Sequence, residues 1–184
     1  PGSTFKLFVY ASAFENSDEM TPMTYYRDDY VALEVPDTKS PTGKKTWRPH
    51  NANGYCTGAN MPLKSAFAQS INTIAVKVGQ DAGIDNVVKT AHAMGIRSKL
   101  DATPALALGA SDVNLLELVN SYCTVMNDGK YRKPILVTKV VDRYGEVIYD
   151  CEKDVPQALQ AIKYKTAFYM QRMLYAGMHE PGGT

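Results

Sequence analysis

Residues 5–14 read Phe-Lys-Leu-Phe-Val-Tyr-Ala-Ser-Ala-Phe, apolar or small at nearly every position. A run of that length suits a helix of ~10 residues buried on most sides, because a surface helix would set an apolar stripe against a polar face. Such a helix needs a body around it. The chain has 184 residues, 45% of them hydrophobic and 10% aromatic, enough for one compact domain with a real core.

The next segment differs in kind. Residues 15–60 carry turn and loop punctuation (Asp28-Asp29, Pro36, the Lys39 to Lys45 run, Asn51-Ala52-Asn53-Gly54) without sustained periodicity, and predict a long surface excursion. Helical signals return at Pro62 and run through Leu63, Ala66 and Phe67 to a polar break at Gln69-Ser70-Ile71-Asn72, after which residues 73–80 predict a second helix. Val87, Val88, Ala91 and Met94 make a helical stripe stopped by Gly95. Asn114-Leu115-Leu116-Glu117 reads as a capping box ahead of Leu118, Val119, Tyr122 and Val125, with Gly129 ending the helix. Residues 135–141 and 146–149 predict a β-hairpin across Asp142-Arg143-Tyr144-Gly145, and residues 164–178 a last helix. The expected fold class is mainly α with a small β-hairpin and too few strands for a central sheet.

Charge and composition exclude several functions. A net charge of +1 and a pI near 8.1 give no basic footprint for nucleic acid or an anionic membrane. No stretch approaches the ~20 apolar residues of a spanning helix, and the opening lacks the layout of a signal peptide. It also lacks an initiator Met, so Pro1 is expected to be an internal point of a longer parent. Cys56, Cys123 and Cys151 match neither a disulfide framework nor a zinc pattern, and His50, His92 and His179 are scattered, so no metal or cofactor is expected. Trp47 and Tyr55 are expected to pin their loop to the body rather than line a groove.

Two short motifs carry chemistry. Ser3 and Lys6 form a Ser-x-x-Lys pair, whose three-residue separation on a helix puts both side chains on one face. A serine hydroxyl needs a base at neutral pH, and a lysine serves when burial favours its neutral amine. Ser70-Ile71-Asn72 is a Ser-x-Asn triplet interrupting two helices. With nine serines and fourteen lysines, chance alone supplies about 0.7 Ser-x-x-Lys matches. Specificity therefore comes from their joint placement, one opening the buried helix and the other between two helices.

The chain resembles the transpeptidase domain of class A penicillin-binding proteins over nearly its whole length. Pro1-Gly2-Ser3-Thr4-Phe5-Lys6 is similar to the family's nucleophile segment, and Trp47-Arg48-Pro49-His50-Asn51 with Gly54-Tyr55-Cys56-Thr57-Gly58 to the loop before its second motif. Leu63 through Val76 resembles that motif with both its helices. Leu106-Ala107-Leu108-Gly109-Ala110, Leu116-Glu117-Leu118 and Val140-Val141-Asp142-Arg143-Tyr144-Gly145-Glu146-Val147 continue the match in order. The resemblance implies a D-alanyl-D-alanine transpeptidase of peptidoglycan cross-linking, acting on stem peptides through a serine acyl-enzyme and inhibited by β-lactams. It makes Ser3 the nucleophile, Lys6 its general base, Ser70 a proton relay to the leaving amine and Asn72 a hydrogen-bonding group for the substrate, with the Ser3 backbone amide as one oxyanion donor. A β-lactam-binding sensor domain and a serine β-lactamase are the alternatives.

The family's third motif, Lys-Thr/Ser-Gly, is not found: Lys39, Lys45, Lys64, Lys89 and Lys165 are followed by Ser or Thr but never next by Gly. Residues 1–184 are therefore expected to be a partial transpeptidase domain truncated at both ends, the helical portion of the penicillin-binding-protein and serine β-lactamase fold with its central antiparallel sheet largely missing. Such a chain is expected to be inactive or weakly active, and to self-associate through faces of the Ser3 helix left uncovered. By the same resemblance the parent is anchored in the bacterial cytoplasmic membrane and faces the periplasm or outer surface.

Overall fold

The apolar run becomes helix α1, Lys6–Asn16, entered through a 3₁₀ turn at Gly2–Phe5. In this computed structural model, which describes residues 1–154 and 157–184, every residue from 5 to 14 is at most 2% exposed. Each large apolar side chain so enclosed contributes about 1.5–3 kcal/mol. The enclosing elements are α3 (Asn72–Ala82), α4 (Ile84–Ala93) and α7 (Tyr164–His179). Helix α3 comes close because Gly79 has no side chain: a Cβ there would lie 3.2 Å from Ala107 Cβ and 3.5 Å from Val9 Cγ1.

This enclosure corrects one expectation. No face of the Ser3 helix is left uncovered, so that ground for self-association is gone. Exposed apolar side chains lie instead on α5 (Leu115–Met126), at Leu115, Val119 and Met126, and on α7, at Phe168, Tyr175 and Met178.

The helices elsewhere follow their sequence signals within a residue or two. Helix α2, Leu63–Ala68, begins one residue after Pro62, which serves as its cap residue with extended backbone. Helix α3 starts at Asn72 rather than Thr73 and runs two residues past Gln80. Helix α5 is capped by Asn114, whose side chain accepts from the amides of Leu116 (2.9 Å) and Glu117 (3.4 Å). The second half of the capping box does not form. Glu117 turns outward and accepts from the amides of Arg97 and Ser98 and from Ser98 Oγ at 2.9–3.1 Å, tying α5 to the loop after α4.

Strand content was under-read. Eight short strands form four separate two-stranded antiparallel ladders among the described residues, with no central sheet. Three of them lie in the stretch expected to be a long surface excursion without periodicity: β1 (Tyr25–Arg27), which pairs with β4 (Asn60–Pro62), and β2 (Leu33–Pro36), which pairs with β3 (Lys44–Trp47). Four residues give at most two alternations, too few to register as a period against the surrounding turn residues. Trp47 does pack on the core, as loop aromatics tend to, while Tyr55 stays exposed. The expected hairpin forms, but only as β6 (Lys139–Val141) with β7 (Val147–Asp150); Ile135, Leu136 and Val137 lie outside the ladder and exposed. A short helix α6, Cys151–Asp154, and a two-residue pairing of β5 (Lys130–Tyr131) with β8 (Leu159–Gln160) complete the order.

Candidate active site

The exposed hydroxyl of Ser3 sits on the 3₁₀ turn just ahead of α1, and Lys6 opens α1 itself. The turn is held from behind by Gly109, whose left-handed backbone (φ 76°) lets it touch Gly2; a Cβ there would strike the Gly2 main chain. On its other flank Tyr122 of α5 donates to the Thr4 carbonyl at 2.9 Å, and burial pushes the Tyr122 phenol up to about 12.

The second part of the site is the break between α2 and α3. Ser70 adopts a left-handed backbone, φ 54°, unusual for a residue with a side chain and costing roughly 1–2 kcal/mol. The turn is closed by bonds from the amides of Gln69, Ser70 and Ile71 back to the carbonyls of Ser65, Phe67 and Ala66. Its far end is fixed by a loop residue: Asn51 Oδ1 accepts from the amides of Asn72 (3.0 Å) and Thr73 (3.2 Å). Asn51 thus satisfies first-turn donors that Ile71, the residue at the cap position, cannot.

Lys6 connects the two parts. Its side chain is 2% exposed, and Nζ donates to the Ser70 carbonyl (2.7 Å), Ser70 Oγ (2.9 Å) and Asn72 Oδ1 (2.6 Å). The Asn72 amide is oriented for this, because its Nδ2 donates to the His50 carbonyl at 2.7 Å. Ser70 Oγ in turn donates to Ser3 Oγ at 3.0 Å. Ser3, Lys6, Ser70 and Asn72 are therefore one constellation, as the motifs implied, with a difference of connection. Lys6 reaches Ser3 through the Ser70 hydroxyl rather than directly, since three acceptors on the Ser70–Asn72 turn occupy the three ammonium hydrogens.

Burial lowers the Lys6 pKa from 10.5 to about 8. At neutral pH that raises the neutral fraction of the amine about three hundredfold over a free lysine. The site opens into a cavity of about 390 Å³ lined by Ser3, Lys6, Ser70, Phe67, Tyr122 and Leu174, among others. Tyr122 and Asn51 were not singled out as site residues by the sequence. Asn51 lies 21 residues before the helix it caps, and nothing local signals such a partner. Among the described residues no group of three or more His, Cys, Asp or Glu side chains is placed to hold a metal ion.

Comparison with known proteins gives the family. The sequence profile of the penicillin binding protein transpeptidase domain matches residues 1–184. Penicillin-binding protein 2D of Bacillus subtilis is 34% identical over 174 residues, 95% of this chain and 24% of that protein. Penicillin-binding protein 1B of Vibrio cholerae is 28% identical over 183 residues, 99% of the chain and 22% of its own length. The crystal structure of penicillin-binding protein 1A from Haemophilus influenzae superposes with a TM-score of 0.83 at 26% identity, covering 100% of this chain and 30% of that one. The imipenem acyl-enzyme complex of penicillin-binding protein A from Mycobacterium tuberculosis shares the fold, with a TM-score of 0.75 at 22% identity over 96% of this chain and 43% of the other. The chain thus spans about a quarter of the length of the curated relatives it matches. With its Ser-x-x-Lys and Ser-x-Asn residues joined by hydrogen bonds and its whole length matching the profile, the chain belongs to the transpeptidase domain family of penicillin-binding proteins, class A members among its relatives.

Proposed function

We propose that this chain carries the nucleophile and proton relay of a D-alanyl-D-alanine transpeptidase. The observation behind the reading is the run of contacts from Ser3 Oγ to Ser70 Oγ (3.0 Å) to the buried Lys6 Nζ (2.9 Å). In the neutral-amine state the Ser3 proton passes through the Ser70 hydroxyl to Lys6, and Ser3 Oγ attacks the scissile carbonyl. The amide C–N bond breaks, and the leaving amine takes its proton back along the same path. Asn72, held by His50 and Asn51, presents its amide to the substrate peptide, and the Ser3 backbone amide stabilises the oxyanion. A neighbouring stem's amine then releases the acyl group, and a β-lactam enters by the same attack on its strained amide.

Residues 1–184 are on this reading part of a larger transpeptidase domain, whose remaining strands supply the third motif. The parent is anchored at the extracytoplasmic face of the cytoplasmic membrane and works on peptidoglycan stems. Among the described residues no helix of the chain is long and apolar enough to cross a membrane.

Incubating the complete domain with a fluorescent penicillin tests the reading. Lasting label mapped to Ser3, abolished by Ser3→Ala and slowed at least a hundredfold by Lys6→Ala, supports it. Rapid turnover of the label indicates a β-lactamase, and label on another residue removes Ser3 from its role. Cross-linked product from stem peptides separates a transpeptidase from a sensor domain, which acylates without transfer.

A further inference from the structure

Asp28 is a carboxylate with no exposed surface, 42 residues before Ser70 and outside every motif discussed above. It is not an orphan. Its Oδ1 accepts from Asn51 Nδ2 (2.8 Å) and Thr73 Oγ1 (2.7 Å), and its Oδ2 from the amide (2.8 Å) and hydroxyl (2.9 Å) of Thr57. Burial by itself raises the carboxyl's pKa, but these four donated bonds outweigh it and hold the group below the ordinary carboxylate range.

The partners matter more than the charge. Asn51 is the residue that caps α3 from outside, and an amide can turn either end toward the helix. Only with Oδ1 facing the amides of Asn72 and Thr73 does it cap; Asp28, an acceptor only, draws Nδ2 to the opposite side and so selects that orientation. Nδ2 also reaches the Tyr55 carbonyl at 3.1 Å. Thr73, the second residue of α3, is bound to Asp28 directly. One carboxylate therefore grips the start of α3 twice, once through Asn51 and once through Thr73, immediately after the residue that contacts Lys6.

We propose that Asp28 is a positioning residue for the acylation site: through Asn51 and Thr73 it fixes the first turn of α3, and with it the placement of Asn72 and the left-handed Ser70 against Lys6. This rests on the functional reading of Ser3, Lys6, Ser70 and Asn72 given above. Asp28 touches neither Ser3 nor Lys6, and acts only by setting where the Ser70–Asn72 turn lies.

The test uses Asp28→Asn, which keeps the shape but places donors against donors, and Thr73→Val, a milder change that removes one bond and serves if Asp28→Asn does not fold. In the complete domain, acylation of Ser3 by fluorescent penicillin is expected to slow about 10- to 100-fold in Asp28→Asn and several-fold in Thr73→Val. The amides of Asn72 and Thr73 should exchange hydrogen faster in both. Asn51→Ala should also slow acylation, and adding Asp28→Asn to it should slow it further by no more than the several-fold of Thr73→Val, the tie to α3 that Asn51→Ala leaves in place. Glu15→Gln is the comparison: Glu15 accepts from the Lys163 amide (2.9 Å) and Thr166 Oγ1 (2.6 Å), so its loss should lower Tm without slowing acylation. Wild-type acylation and exchange rates in both Asp28→Asn and Thr73→Val overturn the proposal, as does an equal slowing in Glu15→Gln. If the unmutated domain takes no label at Ser3, the functional reading falls, and amide exchange at Asn72 and Thr73 then decides the structural claim by itself.

Discussion

Lys6 is a cation held where almost no water reaches it, and its thermodynamics follow from that. In the folded protein the amine titrates near 8, against 10.5 when unburied. Between these values the unfolded chain holds the extra proton, so folding gains strength as pH rises through the window. Measured against Lys6→Met, the wild type should gain up to about 3 kcal/mol from pH 7 to pH 10.5. Calorimetry at several pH values checks this, and a constant Tm difference would contradict it. Tyr10 tells a simpler story. Its hydroxyl is buried with no hydrogen-bond partner among the described residues, while its ring meets Phe67 edge-on, centroids 5.2 Å apart. Tyr10→Phe removes an unsatisfied polar atom and keeps the ring, so it should stabilise the fold by about 1 kcal/mol, a rise of roughly 3 °C in thermal melts. Ser3, Lys6, Ser70 and Asn72 stand out in the sequence through the joint placement of their two motifs and the ordered resemblance around them, since either motif by itself is expected by chance. The motifs could not say that Ser70 stands between Ser3 and Lys6. That depends on a backbone conformation at Ser70 which its own side chain disfavours and which distant contacts impose.

Elements longer than about ten residues were legible, since apolar periodicity accumulates with length. α1, α3, α4, α5 and α7 all appeared near their expected bounds. The short strands outside the β6–β7 hairpin did not, and neither did the fate of Glu117, whose carboxylate is drawn away from the helix cap by three donors on a loop 19–20 residues distant. Inter-element contact also explains Gly109, which sequence alone marks only as a turn glycine. It supports the 3₁₀ turn bearing Ser3 by main-chain contact with Gly2. Gly109→Ala adds a methyl group where that main chain lies and forces an L residue into φ 76°. The variant should lose roughly 2–3 kcal/mol, or about 5–10 °C in Tm, and its penicillin labelling should fall by more than its loss of folded fraction, because the displaced segment is the one carrying Ser3, the proposed nucleophile.

At the scale of the whole molecule, three carboxylates join parts far apart in the chain: Asp28 to 51, 57 and 73, Glu117 to 97 and 98, and Glu180 to Lys64 and Ser65. All three have pKa values held below their ordinary range, despite burial acting the other way, by the hydrogen bonds they accept. Each group's contribution is present above its unfolded pKa and is lost as pH falls through the folded one. The protein should therefore lose stability steeply below about pH 4, and circular dichroism across an acid titration would register it; a flat profile down to pH 3 would count against these ties. The enclosure of α1 reaches further still. A helix hemmed in on every side tolerates few replacements, whatever its role in chemistry. A saturation screen for growth should find an unbroken block of intolerance from Phe5 to Phe14, and heritable escape from an inhibitor should arise at the cavity rim, on α5, α7 and the loops, where the chain is free to vary.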